Sequence, residues 1–260
     1  MRQKYGQNFL IDTNIANNIV NSLDFKTTDN ALEIGPGKGI LTKLVQPRVK
    51  FLTCVDIDSQ LVKELTNYFS FNNIKNVKVI NEDFFKYAVQ TQENIKLISN
   101  LPYNIGTAII QKLLPLDNWV EAVFMLQKEV VSRLAAKSGS KDYGYISIFT
   151  SYYADSQVLF DVSPKCFRPQ PKVMSSVIKL KNKKPEKPEI LFFEFIKHAF
   201  NMRRKTILNA LASFKNLNKN QGFEIVDNLG ISPLLRPAKL EISDFISLTT
   251  EIKKYTIPRD

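Results

Sequence analysis

A chain of 260 residues with 44% hydrophobic content is long enough to bury a sizeable core, and its net charge of +11 favours a polyanionic partner. No run of about 18 apolar residues is present, which argues against a transmembrane helix. The polar start Met1–Gln7 lacks the apolar segment of a secretory signal. Two isolated cysteines, Cys54 and Cys166, make neither a disulfide framework nor a zinc site, so the expected setting is the reduced cytoplasm, with no metal. Together with the single His198 they read as packing residues.

The first half alternates short apolar runs with helical patterns. Strands are predicted at Ala31–Ile34, Phe51–Ile57, Val77–Ile80, Ile95–Ser99 and Ala122–Met125, with helices at Ile40–Val45, Gln60–Phe69, Thr107–Leu114 and Glu129–Ala136. That alternation predicts an α/β fold, a mostly parallel sheet with helices on both faces. After Gly144 the runs Ser147–Tyr153, Ser156–Val162 and Val173–Leu180 read as strands without intervening helices, so the sheet is expected to end antiparallel. The stretch Lys181–Pro188 has a linker composition. Beyond it Phe192–Ala199, Lys205–Ser213, Gly222–Asn228 and Ser243–Lys253 look helical. The division expected is therefore 1–184 for the α/β domain and 185–260 for a small all-α domain.

Two patterns carry chemistry. Asn100-Leu101-Pro102-Tyr103 follows a predicted strand, and Pro102 forces the chain out of the sheet there. An amide oxygen, a backbone carbonyl and an aromatic ring are then presented together. The Asn100 oxygen and the Leu101 carbonyl can each accept a hydrogen bond from a base amino group, and Tyr103 can stack on the base. A Pro turn with a polar cap is the plain alternative for these four residues. The second pattern is Glu33-Ile34-Gly35-Pro36-Gly37-Lys38-Gly39, a glycine loop between a strand and a helix. Asp56 stands about twenty positions on, where a carboxylate binds ribose hydroxyls. Asp83 follows the next strand and could accept from an adenine amino group. The spacing Gly-x-Gly-x-Gly differs from the dinucleotide pattern, and His198 lies far along the chain, so S-adenosylmethionine is favoured over a nicotinamide cofactor.

These segments resemble the ribosomal RNA adenine N6,N6-dimethyltransferases. The resemblance spans nearly the whole chain: Tyr5-Gly6-Gln7-Asn8-Phe9-Leu10, the glycine loop, Asn100–Ile105, Met125–Val130 and Phe167–Val173. Phe200–Thr206 and Leu229–Arg236 resemble the bacterial small-subunit branch. The resemblance implies a Rossmann-like methyltransferase sheet and dimethylation of two adjacent adenosines in the 3′-terminal hairpin loop of 16S rRNA, late in assembly of the 30S subunit. It implies cofactor contacts at Asn8, Leu10, Gly35, Asp56, Asp83 and Asn100, with Gly37 in the same loop. Asp56 stands where Glu is more frequent, Gly106 where a small hydroxyl residue is usual, and Met174 where a polar residue is common.

In the implied reaction adenine N6 attacks the methyl group, and Asn100 and Leu101 stabilise the charge developing on nitrogen. Phe167 is the candidate for the second face of the base, a core aromatic being the alternative. Arg203, Arg204 and Lys205, expected at a helix start, are the best candidates for RNA phosphates, with Lys137–Lys141 and Lys181–Lys187 behind them. A monomer is the default. A 23S enzyme of the resistance type, a non-catalytic assembly factor and a DNA adenine methyltransferase are the competing readings.

Overall fold

The computed structural model describes residues 8–89, 94–186 and 188–256. Tyr5–Gln7 of the first motif and Lys187 of the linker lie outside the described residues. The chain divides into two compact units, Met1–Val131 with Ala154–Lys184, and Ser132–Tyr153 with Pro185–Asp260.

The first unit runs β1 (Phe9–Leu10), α1 (Thr13–Asn21), β2 (Asn30–Ile34), α2 (Thr42–Val45), β3 (Phe51–Asp56), α3 (Ser59–Phe71), β4 (Val77–Asn81), β5 (Ile95–Asn100), α4 (Gly106–Leu113), β6 (Trp119–Gln127) and the start of α5 (Lys128–Leu134). After α6 (Tyr145–Tyr153) it continues with β7 (Ala154–Val162), β8 (Phe167–Arg168) and β9 (Ser175–Asn182). A seven-stranded sheet has the order β4-β3-β2-β5-β6-β9-β7. The pairs β3–β4, β2–β3, β2–β5 and β5–β6 are parallel, while β9 pairs antiparallel with both β6 and β7. The chain winds outward from β2 to β4 and then returns to β5 on the other side of β2. That reversal is the switch point at which such sheets bind ligands, beyond the carboxyl ends of the strands.

Helix α1 was not foreseen. Its many asparagines are weak helix formers, yet Asp12 caps it by accepting from the Asn14 and Ile15 amides at 2.9 and 3.1 Å. Its buried Ala16, Ile19 and Val20 join a core that includes Leu52, Ile98, Val123 and Val177. The short pair β1–β8 sets Leu10 opposite Phe167. The predicted linker also begins later than expected, since Lys181 and Asn182 complete β9.

The second unit contains α6, α7 (Ile190–Asn201), α8 (Ile207–Ala212), α9 (Lys219–Asn228) and α10 (Ile242–Thr256). Here two sequence expectations fail together. The segment expected as a strand at Ser147–Tyr153 is helix α6, and residues 132–153 belong with the helical unit rather than with 1–184. Its β-branched and aromatic residues favour strands, but Ile146, Ser147, Ile148, Phe149, Thr150 and Tyr153 are all buried, with no alternation. A helix packed on several sides accommodates that pattern. Phe149 meets Phe193 of α7 at 5.0 Å between centroids. The Ser147 hydroxyl donates to the Arg133 carbonyl at 2.6 Å and accepts from the Gly144 amide at 3.0 Å. Tyr143 and Ile148 share one core with Phe195, Ile207, Leu211 and Phe245.

Two features of the first unit are unusual. Glu33 on β2 is 2% exposed, opposite Cys54 on β3. Its carboxyl is raised to about 8, chiefly by burial, with Thr42 lowering it, the nearby Asp56 charge raising it and Cys54 lowering it. Second, Gly106 opens α4, and a Cβ there would stand 2.5 Å from Leu126 Cδ2. The expected hydroxyl residue is thus replaced by a glycine whose missing volume Leu126 occupies.

Gly106→Ser is therefore expected to destabilise the fold by about 1 kcal/mol or more through overpacking. Leu126→Val in the same chain should relieve part of that loss, read as a non-additive double-mutant cycle in denaturant unfolding. For Glu33, the folded pKa lies above the unfolded value, so holding it protonated costs stability as pH rises from about 4.5 to about 8 and the loss is complete above that range. Glu33→Gln does not titrate. Its melting temperature relative to wild type should rise from pH 5 to pH 8; a pH-independent difference would contradict a buried, protonated Glu33.

Candidate active site

A cavity of about 470 Å³ opens at the carboxyl ends of β2, β3 and β5 and the loop after β4. Asn8, Leu10, Gly35, Gly37, Asp56, Asp83 and the whole Asn100–Tyr103 turn line it. The fold thus brings together every cofactor position and four of the five base-handling positions named from sequence.

The glycine loop turns sharply because Gly35, Gly37 and Gly39 take φ of +63°, +56° and +78°, which disfavour any side chain. Gly35 N donates to the Val55 carbonyl at 2.9 Å. Gly37 N donates to Asp56 Oδ2 at 3.2 Å. A Cβ on Gly37 would lie 3.2 Å from the Phe9 ring, so β1 covers the loop closely.

Asp56 is 5% exposed, and burial raises its carboxyl above the ordinary range. Its Oδ1 accepts from the Asp58 amide at 3.0 Å. Each oxygen keeps a lone pair for a ribose hydroxyl. Its shorter reach, compared with Glu, suits a residue that also holds the loop. Asp83 forms a local turn in which Oδ1 accepts from Phe85 N at 2.9 Å. Oδ2 is bonded to no donor among the described residues, which leaves it for a ligand amino group.

The Asn100 turn is built with its acceptors ready. Asn100 Nδ2 donates to the Asn8 carbonyl at 3.2 Å, which leaves Oδ1 as the free acceptor of that amide. Leu101 N donates to the Met125 carbonyl at 3.0 Å. The Pro102 carbonyl accepts from Gly106 N at 2.9 Å and so starts α4. The Ser99 hydroxyl donates to the Ile34 carbonyl and ties the end of β5 to β2. Tyr103 is half-buried. Its hydroxyl pairs with Ser175 Oγ at 2.6 Å, which anchors the far end of the ring, and burial raises the phenol above its usual range.

Phe167 is a correction. It is 2% exposed, packs in the core with Leu10, Val162 and Val177, and does not line the cavity. Its ring is held where β8 pairs with β1, so it is a core aromatic here. Arg203, Arg204 and Lys205 are exposed, but on the turn between α7 and α8 rather than at a helix start; Thr206 caps α8 by accepting from Asn209 N at 3.3 Å. His198 packs on Phe214, and its Nε2 lies 3.1 Å from the Ala210 carbonyl. Among the described residues no cluster of His, Cys, Asp and Glu is placed to hold a metal, and no helix is long and apolar enough to cross a membrane.

Sequence reasoning missed Phe9, Glu33 and Ser175 as site residues. Phe9 and Glu33 stood inside the quoted motifs and could have been found by adjacency. Ser175 had no local signal, because its partner lies 72 residues away.

Residues 1–254 match the family described as ribosomal RNA adenine dimethylase. The chain is 39% identical over 259 residues to the ribosomal RNA small subunit methyltransferase A of Clostridium perfringens, covering 96% of this chain and 90% of that protein. It is 40% identical over 245 residues to the protein of the same name from Malacoplasma penetrans, covering 92% and 87%. Among solved structures it is similar to a dimethyladenosine transferase from Plasmodium falciparum, with a TM-score of 0.86 at 24% identity over 96% of this chain and 98% of that one. The 23S rRNA methyltransferase ErmE aligns with a TM-score of 0.72 at 22% identity over 95% and 100%. At these identities the structural likeness speaks for the fold, whereas the family match spans nearly the whole sequence. The chain belongs to the ribosomal RNA adenine dimethylase family and is an S-adenosylmethionine-dependent methyltransferase acting on adenine in rRNA.

Proposed function

We propose that the chain dimethylates N6 of two adjacent adenosines in the 3′-terminal hairpin loop of 16S rRNA, within the immature 30S subunit, as a cytoplasmic monomer. The small-subunit methyltransferases among its relatives support the choice of target. The observation that carries the chemistry is the Asn100 amide, pinned through Asn8 so that its oxygen stands free beside Leu101 and Tyr103 at the cofactor cavity.

The residues present fit the cofactor. The cavity volume lies in the range of small-molecule sites. Gly35 and Gly37 leave a wall free of Cβ atoms, and Asp56 and Asp83 offer acceptors for hydroxyl and amino groups. When bound, S-adenosylmethionine supplies a methyl group on a positively charged sulfur. The chain supplies placement. Asn100 Oδ1 and the Leu101 carbonyl accept the two N6–H bonds of adenine, which favours the pyramidal form of a nitrogen whose lone pair is otherwise delocalised. As charge develops on N6 these oxygens stabilise it more than they stabilise the neutral base. The charged amine is acidic and gives its proton to water, so no side-chain base is required. After the first methylation one N–H remains and one of the two acceptor contacts is given up.

The base must leave its stack, at a cost of a few kcal/mol. Tyr103 offsets part of that by stacking, with its ring held by Ser175. In the helical unit, Arg203 Nη2 donates to the Lys141 carbonyl, and Gly139 N to the Ala238 carbonyl. Residues 137–141, 203–205 and Lys239 therefore form one basic region, which we assign to RNA phosphates.

Two outcomes test this reading. Labelled methyl transfer to unmethylated small and large subunits should place dimethyladenosine at adjacent positions near the 16S 3′ end, and Asn100→Ala should lower the rate by about 100-fold or more. Label in 23S rRNA would select the large-subunit reading, and tight subunit binding without transfer would select an assembly factor. Tyr103→Ala should cost about 1–3 kcal/mol of transition-state stabilisation, measured as kcat/KM. Tyr103→Phe keeps the ring and should cost less; equal losses would point to the hydroxyl rather than to stacking.

A further inference from the structure

The turn that carries Asp83 is held from outside by one side chain. Lys112 lies in the last turn of α4. Its Nζ donates to the carbonyls of Phe84 at 2.5 Å, Phe85 at 2.9 Å and Tyr87 at 2.8 Å. An ammonium has three protons, and three backbone acceptors are within reach of it. The same Nζ stands 4.9 Å from the centroid of the Phe84 ring. Lys112 is half-buried, and no carboxylate among the described residues pairs with it. A lysine ammonium is strongly hydrated and ordinarily keeps its head in water. Spending it on three carbonyls of one turn holds that turn in a single shape.

The turn has two sides. On the inner side, Asp83 gathers the amides: Phe85 N donates to its Oδ1, and Lys86 N and Tyr87 N donate to its carbonyl at 2.8 and 3.0 Å. On the outer side, Lys112 gathers the carbonyls. Phe84 lies between them, 6% exposed, and is one of the residues that line the cavity. Helix α4 begins just after the turn that presents Asn100 and carries in its last turn the lysine that clamps the Asp83 turn. One rigid element thus sets both bases' binding turns.

We infer that Lys112 is a positioning residue that fixes the Asp83 turn for recognition of the 6-amino group of the cofactor's adenine; this rests on the reading of Asp83 as the acceptor for that group. The clamp neither touches the transferred methyl nor contributes to the target pocket, so its signature is selectivity for the cofactor's base.

The test measures affinity of the full chain for S-adenosylhomocysteine and for its hypoxanthine counterpart, S-inosylhomocysteine, by titration calorimetry, with hydrogen exchange at the Phe85–Tyr87 amides alongside. Lys112→Met keeps the apolar stem and removes the charge. It should weaken S-adenosylhomocysteine binding by about tenfold, leave the inosyl compound nearly unaffected, and accelerate exchange in the turn. Equal weakening of both ligands, or unchanged exchange, overturns the role given to Lys112. Asp83→Ala tests the underlying reading separately. If it keeps the wild-type preference for adenine, Asp83 is not the acceptor, while the exchange result still decides whether Lys112 holds the turn. Should Lys112→Met fail to fold, Lys112→Gln retains a donor and carries the same comparison.

Discussion

The hydrogen bond from the Gly37 amide to the buried Asp56 carboxylate ties the glycine loop to the end of the neighbouring strand, and the site is organised around it. It works because β2 and β3 are adjacent and parallel, so that both carboxyl ends emerge on one edge. Gly35 N on the Val55 carbonyl and Ser99 on the Ile34 carbonyl extend the tie to either side. With the three strand ends fixed, Asn100 and Asp83 fall on the rim of one cavity. A positive φ at three glycines is the local cost, and it is tolerated because no Cβ has to be accommodated.

The polar groups of the site are mostly held by backbone partners. Asn100 is oriented by the Asn8 carbonyl, Asp56 by two amides, Asp83 by the amide of its own turn, and the Asp83 turn by Lys112. Backbone partners cannot change rotamer, so acceptors are placed before a ligand arrives. Electrostatic stabilisation of a developing charge depends on that preorganisation, since groups that must reorient consume the energy they would supply. Glu33 contributes differently. Deep burial keeps its carboxyl largely protonated near neutral pH, which limits the build-up of negative charge beside Asp56.

The helical unit follows another logic. Its core is built from aromatic contacts among α6, α7 and α10, with Phe149–Phe193 and Phe200–Phe245 as examples. Basic side chains are left on its surface turns. Phosphate contacts need charge more than exact geometry, and exposed arginines and lysines on turns are the kind of surface that offers it.

The sequence by itself determined the parallel α/β class, the glycine loop, Asp56, Asp83 and the Asn100–Tyr103 turn. Each depends on local rules: the period of apolar residues, the φ that glycine permits, and the inability of Pro102 to continue a ladder. Family resemblance added Asn8 and Leu10. Only the tertiary structure decided the rest. It turned Ser147–Tyr153 into a helix because burial on several sides outweighs strand propensity, and moved residues 132–153 into the helical unit. It buried Phe167 behind β1, filled the space beside Gly106 with Leu126, and gave Tyr103 and the Asp83 turn their supports in Ser175 and Lys112. Those outcomes depend on contacts between residues far apart in the chain, which neither periodicity nor propensity encodes.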